Sequence, residues 1–357
     1  MQKSTAIPLP VLPEELIGEI LLSLPVRSLL QFKCVCKSWK TLISSSQFVK
    51  SHLQISTADR TLTNQAWVFS ITRGPRNTVS YPLKQLFENP AATVKRGTSF
   101  YTEVKSYCII GSCNGLLCLL HCLPRCVRLC NPSLRMISKT SSVPVSRNWF
   151  IKPYGFGYDQ VNDNYKALLV VQSNKHYHQI LTKIYTFGQD DSWKTIPNFP
   201  YNDTMRTGKF VSGTLNWIVS SKNKILSFDI ETETYMELLL PQNDGHNIVY
   251  KHSALSVLSD HLCLSHSDNC DWVLWMMKEY GVVESWTKFI VVSYDKLLQN
   301  NPCMVELMFI SQNGILMVLI HNYELIVYNT NTGVAFRTMK RVRYPCFHCE
   351  SLVSLPC

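Results

Sequence analysis

The apolar positions near the start of the chain fall on a helical period. Leu12, Leu16, Ile20 and Leu24 recur every four residues, with Ile17 and Leu21 beside them. This spacing predicts a helix opening at Pro13, a residue suited to the first turn, with Glu14 and Glu15 near its N-terminal dipole. The stripe stops at Pro25. Ser28 with Gln31 three residues on has capping-box spacing and predicts a second helix. On that second segment Leu29, Phe32, Cys36, Trp39 and Ile43 mark one face, and Leu30, Val35 and Leu42 another. Two apolar faces are more than a short helical hairpin can cover by itself. The surplus either packs on the rest of this chain or docks on the helices of another protein.

After His52 the helical stripes disappear. Short runs rich in Val, Ile, Leu, Tyr and Trp alternate with Gly, Asn, Asp, Ser and Pro, the pattern of an all-β domain. A small or polar pair followed by an apolar strand appears at CNGLLCLL (113–120), SGTLNWIV (212–219), SDHLCLSH (259–266) and QNGILMVL (312–319). Second strands follow at CVRLCNP (126–132), KILSFDI (224–230), WVLWMM (272–277) and ELIVYNT (324–330), and third strands after three of them. Residues 155–200 supply a further unit. A period of roughly fifty residues is that of a propeller blade, whose small sheets are stable only when neighbours stack on both faces. Tandem β-sandwiches fit less well, because nothing punctuates the array at domain-sized intervals. Five units are visible, and a sixth is expected from 66–83 together with the final FHCESLVSL (347–355), which would close the ring.

The helical stretch carries a resemblance. Leu-Pro-x-Glu-Leu-Ile (12–17), Glu-Ile-Leu (19–21), Leu-Pro-Val-Arg-Ser-Leu-Leu (24–30), Val-Cys-Lys-Ser-Trp-Lys-x-Leu-Ile (35–43) and Phe48 follow one another in the order of a plant-type F-box. The β region resembles the F-box-associated, kelch-like domain of plant F-box proteins through GSCNGLLCL (111–119), NPSLR (131–135), YGFGYDQVNDNYK (154–166), VSGTLNWI (211–218), ILSFDIETE (225–233) and ESLVSL (350–355). The Gly-Gly doublets of true kelch repeats are absent. The resemblance implies a three-helix F-box over 7–53 and an all-β domain over 54–355, a propeller of six blades within a range of five to seven. It also implies docking on a Skp-family adaptor and, through it, a cullin ubiquitin ligase. The docking candidates carried over are Leu12, Pro13, Leu16, Ile20, Leu24, Pro25, Val26, Leu29, Val35, Cys36 and Trp39, of which some must be the module's own core. The chain would then be a non-catalytic receptor that holds a target protein for ubiquitination; the alternative is a protein- or glycan-binding propeller whose helices only pack.

Composition narrows the remaining classes. Of 357 residues, 46% are hydrophobic and 17% charged, which describes a folded rather than a disordered chain. The start, MQKSTAIPLP, lacks the apolar core of a signal peptide, and GILMVLI (314–320) is too short to span a bilayer. A soluble protein of cytoplasm and/or nucleus is expected. Its fourteen cysteines then read as reduced thiols. Cys118, Cys122, Cys126 and Cys130 have spacing a zinc site tolerates, but a strand–turn–strand reading makes them small apolar fillers, and no metal or cofactor is expected. The net charge of +10 divides as +3 over residues 1–53 and +7 beyond, with no basic block to suggest nucleic acid. Lys33, Lys37, Lys40 and Lys50 are candidates to steer an acidic adaptor surface.

No catalytic motif stands out: there is no Gly-x-Ser-x-Gly, P-loop or His-Glu-x-x-His. Gly155-Phe156-Gly157 lacks a third glycine, and Asp159 with Asp163 reads as a hairpin turn. The loops read as joining first to second strands hold His121, His176 with His178, His266 and His321. Neighbouring inter-blade loops on the same face add Arg147, Trp149, Tyr201 and Arg206. These are residue types of binding hot spots, and they predict a rim that captures the target.

Overall fold

The computed structural model describes residues 12–58, 65–71, 78–83, 98–99, 107–175, 179–189, 192–201, 207–241, 252–268, 270–298, 303–311, 313–320, 324–339 and 342–356. Four helices lead: α1 (Glu14–Leu22), α2 (Val26–Phe32), α3 (Lys37–Ser44) and α4 (Ser46–Ala58). α1 begins after Pro13, as its pattern predicts. The segment from 28 to 43 is two helices, not one. α2 starts two residues before Ser28, because the carbonyl of Pro25 already accepts the amides of Ser28 and Leu29, at 2.9 and 3.1 Å. It ends where the amides of Cys34 and Val35 fall back to tighter bonds on Gln31 and Phe32, and Cys36 is extended. A β-branched valine followed by cysteine is weak helix-forming sequence.

Among the described residues the β region forms six sheets. In chain order their strands are, for blade 2, Tyr107–Cys113, Leu116–Cys122 and Arg125–Asn131, with Met136–Ile137 and Ser141–Ser142 both along the third. Blade 3 holds Trp149–Asp159, Asn164–Ser173, Ile180–Thr186 and Trp193–Ile196; blade 4 holds Lys209–Val211, Thr214–Val219, Lys224–Asp229 and Thr234–Leu239. Blade 5 holds Ala254–Leu258, His261–Asp268, Asp271–Met277 and Trp286–Ser293; blade 6 holds Val305–Ile310, Ile315–Ile320, Glu324–Asn329 and Val334–Met339. Blade 1 combines the two ends of the domain: Val342–Cys349 pairs with Gln65–Ile71, followed by Thr78–Pro82 and Thr98–Ser99. First strands of successive blades lie side by side from blade 1 to blade 6. The rings of Phe309 and Phe347, 5.6 Å apart, join blade 6 back to blade 1. The ring therefore closes by strand exchange, with 342–349 as the closing strand and 350–355 running on without strand structure.

The repeated words begin one strand later than the sequence suggests. CNG, SG and SD are turns between first and second strands, and the apolar run after each is a second strand. The first strands are as short as three residues and line the axis, so they lack a long alternating signature. Asn114 with Gly115, Ser212 with Gly213, and Ser259 with Asp260 all have positive φ, as two-residue hairpin turns of the primed type require. Apolar cores fill the seams between adjacent blades, for instance Trp217 and Phe228 with Leu168 and Ile184 between blades 3 and 4.

The alternation of strands gives the propeller two faces. Turns joining first to second and third to fourth strands lie on one, the base. Loops joining second to third strands and the inter-blade loops lie on the other, the rim.

Candidate functional site

The helical module divides its apolar residues cleanly. Leu21, Val26, Leu29, Ile43 and Phe48 are buried together, with Ile17, Leu24, Leu30, Phe32, Trp39 and Leu42 packed around them. Val26 and Leu29 are 1% and 0% exposed, so these two candidates belong to the module's core and offer nothing to a partner in this fold. Leu24 and Trp39 are half-buried; the Trp39 ring stands edge-on to Phe32 at 5.4 Å. The most regular stripe faces outward instead. Leu12, Leu16, Ile20 and Val35 are 54%, 44%, 51% and 62% exposed, and Pro13, Pro25 and Cys36 are exposed beside them in sequence. Ser38's hydroxyl and then the backbone amide of Trp39 hold the Cys36 thiol below its ordinary pKa.

The module sits on the base of the propeller. Leu134, in the turn between third and fourth strands of blade 2, and Leu352, beyond the closing strand, both pack into the helical core. Lys50 of α4 pairs with Asp163 at 3.2 Å, so this lysine has a partner within the chain. Being exposed on both sides, that pair contributes at most about 1 kcal/mol. Asp163 belongs to the hairpin turn read from the sequence. There Asp159 accepts the backbone and side-chain amides of Asn162 at 3.0 and 2.9 Å and meets Lys166 at 2.9 Å. Burial pushes the Asp159 carboxyl up, but Asn162 and Lys166 outweigh it and hold the group below the usual range. Lys166 also donates to the Ile230 carbonyl at 2.8 Å, tying blade 3 to blade 4. This is a structural knot, not an acid–base pair.

The rim carries four of the predicted residues. His121 shares its strand face with Leu117 and Leu119, the face that packs toward Cys346 of blade 1, whereas the start of the Trp149–Asp159 strand is held to the third strand of blade 2. The Arg125 guanidinium donates to the carbonyls of Ser146 and Arg147, at 3.4 and 3.2 Å, and to that of Trp149. That clamp fixes the loop presenting exposed Arg147 and half-buried Trp149. Arg125 was not singled out from the sequence; its role lies in bonds to a loop twenty residues on, which no local pattern marks. His121 binds the Pro124 carbonyl at 2.8 Å and rests on the Tyr107 ring. Tyr201 donates to Glu237, which Lys224 meets at 2.5 Å; Lys224 first and Tyr201 second keep that carboxylate below its usual pKa. His266 is not a rim residue. It is 1% exposed, its Nε2 accepts the Trp275 indole N–H at 3.0 Å, and burial pushes its pKa down. His176, His178, Arg206 and His321 lie outside the described residues.

The cysteine run of blade 2 is divided by strand register. Cys118 stands opposite Leu129, and Cys130 opposite Leu117, which puts Cys118 on one face of the sheet and Cys126 and Cys130 on the other. Burial raises the Cys118 thiol, and raises Cys130 to about 12. Among the described residues no cluster of three or more His, Cys, Asp or Glu is placed to hold a metal, and no helix is long and apolar enough to cross a membrane.

Comparison with known proteins agrees with this division. The family described as F-box domain matches residues 9–51, and the F-box associated beta propeller domain matches residues 79–355. An F-box/kelch-repeat protein of Arabidopsis thaliana is 31% identical over 333 residues, covering 90% of this chain and 88% of that protein. A second F-box protein of the same plant is 25% identical, over 90% of this chain and 86% of its own length. The Arabidopsis F-box protein CPR1 is 28% identical, over 88% of this chain and 81% of its own.

Proposed function

This chain belongs to the plant F-box proteins with a C-terminal F-box-associated β-propeller domain, and from that premise we propose that it is the substrate-recognition subunit of a Skp–cullin–F-box ubiquitin ligase. An F-box has a Skp-type adaptor as its general partner. The docking surface on this chain consists of Leu12, Leu16, Ile20 and Val35, with Pro13, Pro25 and Cys36 at its edge; Leu24 and Trp39 support it from behind. The target is captured on the rim, with Arg147, Trp149, Tyr201 and His121 among its contacts. The chain performs no bond chemistry. It raises the effective concentration of target lysines beside the ubiquitin-charged enzyme.

The observation that carries this reading is the seating of the helical module on the base through Leu134 and Leu352. The helical module thereby occupies the base, the end of the propeller opposite the predicted rim. A receptor needs this arrangement, because target and adaptor must be held at once and at a fixed separation.

The test is capture of a purified Skp-family adaptor by the full chain and by Leu12→Ala/Leu16→Ala/Ile20→Ala. Truncating three exposed apolar anchors should weaken capture by tenfold or more, about 1.4 kcal/mol, with the circular dichroism of the β domain unchanged. Undiminished capture by the folded variant would remove the docking surface, and no capture by either chain would leave a binding propeller without a ligase.

A further inference from the structure

A cavity of about 720 Å³ lies on the propeller axis, walled by the first strands of all six blades. Its wall reaches Thr207, Gly208 and Met304, at the rim ends of those strands. Pockets for small organic ligands span about 300–1,000 Å³, so the space suits a small molecule rather than a single water.

Most of the wall is apolar, with Phe210, Phe347 and Met308 among its residues. Two full charges interrupt it. The Lys209 ammonium of blade 4 meets the Glu306 carboxylate of blade 6, passing over blade 5. The seams between adjacent blades are held by apolar clusters, so no seam depends on this pair. Neither partner is fully enclosed: their side chains remain 25% and 18% accessible. Two further wall residues hold buried polar atoms with no partner among the described residues, the indole N–H of Trp217 and the hydroxyl of Ser256. The Cys346 thiol also lines the cavity. Burial pushes it up to about 12, so it stays a neutral S–H and brings no nucleophile to the space.

We propose that this cavity binds a small zwitterionic organic molecule with an apolar or aromatic body. Its ammonium meets Glu306, its carboxylate meets Lys209, and its body lies along Phe210 and Phe347. The physical reason is charge balance. A ligand with one charge would take one member of the pair and leave the other unpaired in a poorly solvated site, which is costly. A zwitterion exchanges one ion pair for two and strands neither group. A free α-amino acid with an aromatic side chain is the smallest molecule of this class, and the volume admits a dipeptide. Nothing in the proposed ligase role requires such a ligand.

The test is isothermal titration calorimetry of the full chain with L-phenylalanine and L-phenylalanyl-L-leucine. The comparison compounds are 3-phenylpropanoate, which keeps only the carboxylate, and 2-phenylethylamine, which keeps only the ammonium. At least one zwitterion should saturate a single site and bind about tenfold or more tightly than either single-charge analogue. Glu306→Gln and Lys209→Met should each lose that advantage. The double variant Lys209→Glu/Glu306→Lys, which keeps the pair with its direction reversed, should retain binding and guards against a single variant that fails to fold. Absence of binding by both zwitterions at millimolar concentration overturns the proposal. So does equal binding of zwitterion and single-charge analogue, or undiminished binding by folded Glu306→Gln.

Discussion

The side-chain amide of Asn131 donates to the carbonyl oxygens of Ser351, at 3.0 Å, and Val353, at 2.7 Å, across more than two hundred residues of chain. Its own oxygen accepts the backbone amides of Ser133 and Leu134, at 2.8 and 3.2 Å. One fully buried side chain thus binds the blade 2 turn to the C-terminal segment. Leu134 and Leu352, the residues that enter the helical core, sit on those two segments. Asn131 therefore holds together the footing on which the helical module stands.

Asn131→Leu should lower stability by about 2–3 kcal/mol, because two carbonyls and two amides lose a partner worth about 1 kcal/mol net each where they are bonded, with some regained from water. Urea denaturation measures the loss, and hydrogen exchange should show α4 losing protection. Thr330→Val is the control. Its hydroxyl bonds the Gly314 carbonyl at 2.7 Å on an exposed turn, where water replaces the lost group, and it should cost less than about 1 kcal/mol.

Two glycines of the same turn type separate backbone strain from crowding. Gly115 and Gly213 have φ of +74° and +76°. A Cβ on Gly213 would meet nothing within 4 Å, whereas one on Gly115 would lie 2.1 Å from Ser351 Cβ and 2.7 Å from the Cys349 carbonyl oxygen. Gly213→Ala should cost about 1 kcal/mol from the left-handed conformation alone. Gly115→Ala should cost distinctly more and displace the C-terminal segment, read as a lower midpoint of thermal unfolding and faster proteolysis near 350–355.

Within the helical module, stability and docking should separate by residue. Leu29→Ala and Ile43→Ala, at positions 0% exposed, should each cost about 2–5 kcal/mol. Leu16→Ala and Ile20→Ala should change stability by no more than about 0.5 kcal/mol while weakening adaptor capture. Thermal unfolding and adaptor capture on the same four variants check this. Equal stability losses in both pairs would mean that α1 packs the other way round.

Acid should loosen the closing blade through His348. This residue is 2% exposed, its Nδ1 has no partner among the described residues, and burial pushes its pKa down to about 3. The unfolded chain takes up a proton below about 6.5 and the folded chain does not, so stability falls as pH drops from about 6.5 toward 3. His266 shifts in the same direction. Glu350, raised by burial, acts with the opposite sign, since the fold binds its proton more readily than the unfolded chain. The difference between wild type and His348→Gln isolates the histidine: the variant's stability should decline less between about pH 7 and pH 4 in urea titrations. Parallel curves would show that the fold accommodates a charged His348.

Much of this was legible locally. Pro13 marks a helix start because its geometry fixes the backbone without reference to anything distant, whereas the second helix begins at Val26 and not at the Ser28 that capping-box spacing suggests. The paired residues such as Asn114 with Gly115 read from the sequence as the lead-in to a strand, and in the fold they are the hairpin turn between two strands. The strand exchange that closes the ring could be anticipated from a unit with too few strands at one end and a spare strand at the other. The rim was less legible. His121 and His266 occupy corresponding loops of the sequence, yet one lies on the rim and the other is sealed under Trp275.

Local pattern was enough to announce the helical stripe after Pro13, the strand-rich texture beyond His52 with its recurring period, and an apolar surplus on the leading helices. The break at Val35–Cys36 and the three-residue first strand of blade 4 left no such signature. Periodicity and turn chemistry act over a few residues, and a reader of the chain has those in hand. Which apolar residues the core takes was settled by packing across the chain. The stripe Leu12, Leu16 and Ile20 is as regular as any core face, but Ile17 and Leu21 are the ones turned inward, because Leu134 and Leu352 arrive from far along the chain to seat the module on that side. Lys209 and Glu306, 97 positions apart, have nothing in their neighbourhoods to connect them. They meet because closure of a six-sheet ring brings first strands around one axis, and that proximity is a property of the ring rather than of either strand.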